Sequence, residues 1–463
     1  MNEEARFTKV RNELNSKSAS MCLAKWLQVT IHLQNGVTHS CHHPPTHKIP
    51  LAEIKADSSA LHNTRHKKQQ RKKMLEGERP EECDYCWKIE DANPDNFSDR
   101  TYKSADNWAY PHLQEVVTEK WNTNIEPTYV EVSFGNECQF KCAYCSPVVS
   151  SGILSEFLKH GHYSNQQNFD LDVLKAENIY PYSKDEPNPY VDAFWNWWPK
   201  LSKKLEVFRI TGGEPLLNPN TFRFLESLIQ TPMPNLDVAI NSNLSVPDLY
   251  LNRFLDLAEK ITSQKLVKKL EIYTSVDTYG AQAEYVRFGL NFNKLISNIR
   301  TVLDRLPATN IVIMCTFNVF SVPGFEEFLK ILKDLKLKYR GANSSSRIQL
   351  SIPYLRHPMF MAANILPESF IPYVERSLDY MLRNSYHTED FYQIFSEFEM
   401  SQLRRILDWL RQDIDDEVTK AHFRREFYQF FKEYDSRKGT SLIETFPEFK
   451  EFLDTIQLEL DNE

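Results

Sequence analysis

No apolar run in this 463-residue chain approaches the length of a membrane span, and its first residues lack the apolar core of a signal peptide. We therefore expect a cytoplasmic protein with no membrane partner. Hydrophobic residues make up 41% of the chain and aromatic residues 13%, which excludes a disordered protein. The net charge of −8 is small for this length and gives no global reason to expect nucleic acid as a partner.

Cysteine is also scarce, yet seven of the eight cysteines fall into spaced groups typical of metal ligands. In a chain without a secretion signal, this pattern fits a reducing compartment better than a disulfide framework. Cys138, Cys142 and Cys145 form a CxxxCxxC triplet, which supplies three soft thiolates from one loop. A structural zinc site is the alternative, but it requires a fourth ligand, and no Cys or His follows the triplet until His160.

A second motif, Thr211-Gly-Gly-Glu-Pro215, directly follows a predicted strand. Its two glycines allow a ligand to approach the backbone, and its glutamate offers a carboxylate to an ammonium group. Together with the cysteine triplet, this motif resembles the radical S-adenosylmethionine superfamily. The resemblance implies that the three cysteines hold a [4Fe-4S] cluster, whose open iron chelates S-adenosylmethionine, and that Gly212, Gly213, Glu214 and Pro215 bind the amino group of that cofactor.

The resemblance also implies an activity and further cofactor contacts. The reduced cluster cleaves S-adenosylmethionine, and the resulting 5′-deoxyadenosyl radical abstracts hydrogen from a substrate; Cys138, Cys142, Cys145 and Glu214 carry this step. Further cofactor-binding residues by resemblance are Tyr144, Asn241, Ser242, Asn243, Ser275, Asp277, Arg287 and Asn318. Leu244 stands where the family usually has glycine. From the residues alone, Ser275 and Asp277 have an alternative role as caps of the next helix, and Cys315 is a buried small hydrophobe.

Short β-rich runs alternate with helical stretches from about residue 126, which predicts an α/β fold with a parallel sheet. The predicted strands are Pro127 to Phe134, Leu205 to Thr211, Leu236 to Asn241, Leu270 to Val276, Asn310 to Phe317 and Arg347 to Pro353. Six such strands resemble the partial (β/α)6, TIM-like barrel of the radical family. The polar segment from His160 to Tyr190 is either a lid or a surface insertion, and the aromatic group Phe194, Trp195, Trp197 and Trp198 after it predicts helix packing.

A second set of cysteines lies near the N-terminus: Cys22, Cys41, Cys83 and Cys86. Four thiolates close a tetrahedral site for zinc or hold a [4Fe-4S] cluster, so the residues alone do not choose. Their order, with Gly36 between the first two, resembles the twitch domain, a shortened SPASM auxiliary-cluster module, which implies a second iron–sulfur cluster. His42 and His43 adjoin Cys41 and offer replacement ligands, although exposed loop histidines are the commoner case.

The basic run from Arg65 to Lys73 predicts a solvated helix face, with a contact to an anionic substrate or RNA as the alternative. The domain boundaries that we predict are 1–18 for an N-terminal lead, 19–92 for the auxiliary module, 93–125 for a linker, 126–365 for the barrel and 366–463 for a helical C-terminal subdomain.

The leading functional hypothesis is a radical enzyme that acts on a peptide or protein side chain, with an electron donor such as a flavodoxin or ferredoxin. The alternatives are an RNA-modifying radical enzyme and a non-catalytic iron–sulfur electron carrier or metal-binding protein. The Gly-Gly-Glu-Pro motif speaks against an electron carrier, which has no need of an ammonium site beside an open iron. The substrate itself does not follow from the sequence.

Overall fold

A computed structural model describes residues 3–93, 95–341, 346–412 and 416–461. The chain forms two compact units. Unit 1 comprises residues 1–136, 178–239 and 265–269, and unit 2 comprises residues 137–177, 240–264 and 270–463. Within the described ranges, no helix is both long enough and apolar enough to cross a membrane.

The secondary structure is mixed α and β. The strands are β1 (Gln28–His32), β2 (Val37–His39), β3 (His47–Lys48), β4 (Tyr129–Ser133), β5 (Lys141–Cys142), β6 (Val207–Thr211), β7 (Met233–Asn241), β8 (Val267–Ser275), β9 (Arg287–Phe288), β10 (Asn310–Met314) and β11 (Ile348–Ser351). The helices are α1 (Glu3–Lys17), α2 (Ala24–Leu27), α3 (Leu51–Ala56), α4 (Arg65–Leu75), α5 (Asp84–Ala92), α6 (Asp99–Ser104), α7 (Leu113–Thr118), α8 (Ser151–His160), α9 (Leu171–Ala176), α10 (Pro189–Leu201), α11 (Pro219–Gln230), α12 (Asp248–Ser263), α13 (Gly280–Val286), α14 (Phe292–Arg305), α15 (Ser321–Lys338), α16 (Ile371–Arg383), α17 (Glu397–Gln412), α18 (Glu417–Lys438), α19 (Leu442–Thr445) and α20 (Lys450–Asp461).

Unit 1 contains a largely parallel sheet with the strand order β6-β4-β1-β2-β3. Val130 of β4 lies opposite Val29 of β1 on one side and opposite Phe208 of β6 on the other, and both pairings are parallel. β2 and β3 continue the sheet as antiparallel strands. The side chains of Val29, Val130 and Phe208 are fully buried, as expected for parallel strands covered on both faces. Short N-terminal helices bury a second apolar core around Trp26, Met74, Trp87 and Trp108.

In unit 2, strands β8, β10 and β11 pair in parallel, with Ile311 opposite both Ile272 and Ile348. Helices α14 and α15 connect these strands in sequence and bury one apolar stripe each, as crossover helices of a parallel sheet do. β11 ends the strand order. The N–H of Leu350 in β11 and that of Ile352 just after it donate to the side-chain oxygens of Glu399 and Gln402 of α17, each at 2.7 Å, so these edge groups are satisfied.

The six strands predicted from the sequence are confirmed as β4, β6, β7, β8, β10 and β11, with ends displaced by no more than three residues. The predicted packing role of the aromatic group is confirmed for Phe194 and Trp197, which are buried in α10. The helical character of the chain after residue 366 is also confirmed by α16 to α20. Neither β1, which pairs directly with β4, nor α9 within the segment from His160 to Tyr190 was predicted.

Candidate metal centres

The three cysteines of the triplet lie in one loop of unit 2 that is folded back onto α8. The N–H of Cys138 donates to Ser151 Oγ (3.0 Å), and the N–H of Gly152 donates to the carbonyl oxygen of Cys138 (3.1 Å). Cys142 lies on β5 opposite Arg287 of β9, and the N–H of Cys145 closes a turn on the carbonyl oxygen of Cys142 (3.0 Å). Hydrogen bonds therefore hold the loop to α8 at Cys138 and to β9 at Cys142.

Glycine is required where this loop meets α8. A Cβ at Gly152 would lie 2.8 Å from the carbonyl oxygen of Phe140 and 3.0 Å from that of Cys138. Real Cβ atoms avoid such short contacts, so any larger residue would push the cysteine loop away from the helix.

The donor set of this loop fits a cluster with one iron left free of protein ligands. All three thiols are partly buried. Burial raises the pKa of Cys142 and of Cys145, and the neighbouring Cys142 and Cys138 raise the pKa of Cys145 further. These thiols therefore stay protonated in the free protein, and a cationic metal core would replace the protons.

A buried ion pair lies beside Cys142. Arg287 donates from Nε to Asp277 Oδ2 (2.9 Å) and from a terminal nitrogen to Asp277 Oδ1 (3.1 Å), and Asp277 is fully buried. The same carboxylate accepts from the Tyr144 hydroxyl (2.7 Å) and from the N–H of Thr316 (3.1 Å). The other terminal nitrogen of Arg287 lies 4.0 Å from Cys142 Sγ. Asp277 thus orients a guanidinium toward a candidate metal ligand. It does not cap α13, which was the alternative role predicted for it.

We expect Asp277→Ala to lower the free energy of unfolding by about 3 kcal/mol or more, because the substitution leaves Arg287 buried without a counter-charge. Urea unfolding of the purified protein measures this change. Asp256→Ala is the matched control, since Asp256 also pairs with an arginine at 2.9 Å, but in solvent. The control should cost less than about 1 kcal/mol. Equal losses for the two variants would contradict a stabilising role of the buried pair.

The remaining predicted cofactor residues of unit 2 lie at strand ends. Asn243 accepts from Gln139 of the cysteine loop (3.1 Å), and Ser242 Oγ accepts from the N–H of Leu244 (3.0 Å). Leu244 has a φ of +50°, the left-handed conformation that glycine favours, at the position where the superfamily that the motifs resemble usually has glycine. The side-chain amide of Asn318 donates to the carbonyl oxygen of Thr316 and accepts from the N–H of Phe320, which gives it a structural role. Asn241 ends β7, Ser275 ends β8, and Cys315 is fully buried as predicted.

The Gly-Gly-Glu-Pro motif lies in unit 1, directly after β6. Gly212 has a φ of +114°, and a Cβ there would lie 2.3 Å from Ser133 Oγ, so glycine is required. Glu214 is 1% exposed, and its carboxylate accepts from the N–H of Leu216 (2.9 Å). The motif therefore presents a buried carboxylate at the carboxyl end of a parallel strand, where ligands of α/β folds bind.

The four N-terminal cysteines converge on one cavity of unit 1. The cavity is lined by Cys22, Cys41, Cys83 and Cys86, together with the cationic side chains Lys25, Arg100 and Lys103. Burial raises the pKa of Cys83 and of Cys86 to about 12. Cys22 has a raised pKa as well, from burial and then from the nearby Cys41. Four convergent thiols are a complete donor set for zinc or for an iron–sulfur cluster.

Two histidines and a carboxylate lie next to this cavity. His43 Nε2 is 2.8 Å from Asp99 Oδ2 and His42 Nε2 is 3.6 Å from it, and the three ligand atoms lie within 4.8 Å of one another. The expectation of two exposed histidines is correct for His42 and wrong for His43, whose side chain is 13% exposed and stacks on Tyr85. The ammonium group of Lys103 lies 3.8 Å from the Asp99 carboxylate and would repel a metal ion bound by His42, His43 and Asp99.

Comparisons with known proteins find similarity to a curated sequence relative. A search of protein-family models finds no match. A GTP 3′,8-cyclase of Campylobacter lari is 23% identical over 212 residues, which cover 45% of this chain and 52% of the relative. The chain thus spans about half the length of this relative.

Among solved structures, the crystal structure of Streptococcus suis SuiB bound to S-adenosylmethionine is similar over 77% of this chain and 69% of the SuiB chain. The sequence identity is 12% and the TM-score is 0.36.

The structure also contains potential functional residues that the sequence did not reveal. Lys25 and Arg100 line the N-terminal cavity, yet neither belongs to a motif, because their approach to the cysteines depends on tertiary packing. The basic run from Arg65 to Lys73 also differs from its prediction as a solvated helix face. Its members Lys67 and Arg71 are fully buried, so the predicted solvated face is wrong for these two residues.

Proposed function

We propose that this chain is a radical S-adenosylmethionine enzyme. In this proposal Cys138, Cys142 and Cys145 hold a [4Fe-4S] cluster, and S-adenosylmethionine is cleaved to a 5′-deoxyadenosyl radical that abstracts hydrogen from a substrate. The observation that carries the proposal is the loop of three partly buried thiols in unit 2, which supplies one ligand fewer than a closed site needs. When bound, the cluster supplies the electron for cleavage of the sulfonium bond.

The protein's own residues have two roles in this proposal. Glu214 accepts the ammonium group of the cofactor, because it offers a buried carboxylate at the carboxyl end of a parallel strand. Asp277 and Tyr144 hold Arg287 in place beside Cys142, which fixes the cysteine loop.

For the architecture, we propose that the parallel strands belong to a (β/α)6 barrel of the radical type. The four N-terminal cysteines then form a twitch-like auxiliary module with a second [4Fe-4S] cluster. Their convergence on one cavity supports this assignment.

The proposed substrate is a peptide or protein side chain, and the proposed electron donor is a flavodoxin or ferredoxin. The substrate rests on the likeness of the auxiliary module to modules found on peptide-modifying enzymes. A nucleotide is the second candidate, favoured by the sequence relative, whose name gives GTP as the molecule it acts on. An RNA contact through the basic run loses support, because two of its six cations point into the protein.

The test is anaerobic incubation of the iron-loaded, dithionite-reduced protein with S-adenosylmethionine, followed by chromatography for 5′-deoxyadenosine. We expect 5′-deoxyadenosine and methionine in equal amounts. Glu214→Gln should keep its iron and its bond to Leu216, but bind the cofactor at least about tenfold more weakly, because a neutral amide replaces a charge-assisted contact. Glu206→Gln is the control, since Glu206 pairs with His112 and should leave cofactor binding unchanged. An intact three-cysteine cluster that forms no 5′-deoxyadenosine would favour the electron-carrier alternative.

A further inference from the structure

The cysteines of the N-terminal cavity come from segments of unit 1 that are distant in the sequence. Cys22 lies just before α2 and Cys41 just after β2, whereas Cys83 directly precedes α5 and Cys86 lies within it. Ligands from distant segments share one geometry only if surrounding contacts hold those segments together. Two buried ion pairs make such contacts.

The first ion pair joins Arg100 of α6 to Glu90 of α5. The guanidinium is 2% exposed and donates from Nε to Glu90 Oε1 (2.9 Å) and from a terminal nitrogen to Oε2 (3.0 Å). Its other terminal nitrogen donates to the carbonyl oxygen of Met21 (3.0 Å), the residue before Cys22. Glu90 follows Cys86 by four residues, so the two lie on one face of α5. Arg100 therefore links the Cys22 segment to the helix that carries Cys86.

The second ion pair joins Lys25 of α2 to Glu82. The side chain of Lys25 is 2% exposed, and its ammonium group donates to Glu82 Oε1. Glu82 directly precedes Cys83 in the chain. The backbone N–H of Lys25 donates to the carbonyl oxygen of Cys22 (3.1 Å). Lys25 therefore links the same Cys22 segment to Cys83.

Both ion pairs turn their positive ends toward the cysteines. Among the described residues, Lys25 and Arg100 line the cavity, whereas their two carboxylate partners do not. Lys103 and Asp99 also line it and form a pair of their own at 3.8 Å. The charged side chains around the cavity therefore carry a positive surplus, supplied by Lys25 and Arg100.

This orientation suits a site that becomes negative when it is loaded. Four thiolates around zinc or around a [4Fe-4S] core leave two negative charges in excess. Folding alone gives little reason to keep buried ion pairs, because apolar residues of similar volume often stabilise a protein as well or better. A loaded four-cysteine site gains from both features of the pairs, the links between its segments and the positive ends that face it.

We propose that Arg100 and Lys25 position the ligands of the four-cysteine site and present the positive ends of their ion pairs to its thiolates. This inference rests on the proposed metal site and extends it to residues that ligate no metal. The two pairs favour the loaded site over the empty one. They also favour the reduced form of a cluster over its oxidised form, because reduction adds a negative charge.

The experiment uses the full chain with the three cysteines of the triplet replaced by alanine, so that bound iron reports the N-terminal site alone. In this background we compare the parent with Arg100→Met. The measurements are the rate of iron loss to EDTA and the midpoint potential from an EPR-monitored redox titration, with circular dichroism to verify folding. Arg100→Met should lose iron about tenfold faster, because the link to the Cys22 segment is gone. Its potential should shift to a more negative value, because a cation that faces the cavity is removed.

Arg79→Met is the matched control. Arg79 pairs with Asp91, the neighbour of Glu90 on α5, at 2.7 Å, but the two side chains are 46% and 60% exposed. This variant removes the same kind of side chain from the same helix without touching the cavity. It should leave both the rate of iron loss and the midpoint potential unchanged.

The sign of the potential shift separates an oriented ion pair from a purely structural contact. Glu90→Gln removes the negative end of the pair and keeps Arg100, which stays charged and retains its bond to Met21. The potential should therefore move to a more positive value, opposite to the shift in Arg100→Met. Lys25→Met and Glu82→Gln should show the same two signs, which keeps the test informative if an Arg100 variant fails to fold.

Three results have distinct meanings. Iron loss and potential in Arg100→Met equal to those in Arg79→Met would overturn the inference. Shifts of the same sign in Arg100→Met and Glu90→Gln would also overturn it. Absence of both iron and zinc from the parent background would instead refute the proposed N-terminal metal site. If that background binds zinc, zinc release to EDTA replaces both measurements, and Arg100→Met should release zinc faster than Glu90→Gln and Arg79→Met.

Discussion

Replacing Cys138, Cys142 and Cys145 together with alanine is expected to abolish 5′-deoxyadenosine formation and to remove one of two clusters. The anaerobically loaded parent should hold about eight irons per chain, and the triple variant about four, because the two cysteine sets are separate donor sets. The three cysteines of the triplet belong to unit 2 and the four N-terminal cysteines to unit 1. Iron analysis and EPR of the reduced proteins measure the loss.

Cys315→Ala is the matched control for this prediction. Cys315 is fully buried in unit 2 and its thiol lies 3.5 Å from the carbonyl oxygen of Asp277, so it is a cysteine of the same unit outside the triplet. The control should keep the full iron content and form 5′-deoxyadenosine. If the triple variant kept all its iron, the triplet would not be the cluster site. Zinc at the N-terminal cysteines, with iron only at the triplet, would refute the second cluster.

Replacing Cys83 and Cys86 with alanine is expected to have the opposite pattern. The variant should still form some 5′-deoxyadenosine in an uncoupled reaction but lose turnover of its substrate. The physical reason is that four cysteine ligands leave no open iron, so the N-terminal site cannot bind S-adenosylmethionine and can only relay electrons or shape a substrate pocket. The measurement is 5′-deoxyadenosine release beside the EPR signal of the triplet cluster.

This second prediction needs proof that the variant is folded. Cys86 belongs to the N-terminal apolar core, so circular dichroism and the intact triplet signal must accompany the assay. Complete loss of 5′-deoxyadenosine formation with that signal intact would show that the two sites do not work separately. A variant that retains full substrate turnover would show that the N-terminal site serves neither role.

The sequence predicted the parts of the site that local spacing encodes. The cysteine loop, the strand that precedes the Gly-Gly-Glu-Pro motif, and the burial of Cys315 follow from periodicity and motif order. The left-handed backbone at Leu244 did not follow, because a leucine gives no sign of positive φ. Nor did the contact between Asp277 and Tyr144, which are 133 residues apart in the chain.

Tertiary packing overrode two sequence interpretations. The basic run was interpreted as a solvated face because lysine and arginine are rarely buried, yet α4 turns Lys67 and Arg71 inward. β1 was missed because its five residues carry only a short apolar alternation, and its pairing with β4 joins segments about 100 residues apart.

The side chains that occupy the amides of β11 also bear on self-association. A free sheet edge is the usual template on which a strand from another molecule adds, and such additions can continue into fibres. Here Glu399 takes the place that a foreign strand's carbonyl oxygen would occupy, and Lys336 holds that carboxylate in position. Growth of a foreign sheet from these amides would first require α17 to detach. Glu399, held by Lys336, thus blocks the addition of a foreign strand at the amide of Leu350, and Gln402 does the same at that of Ile352.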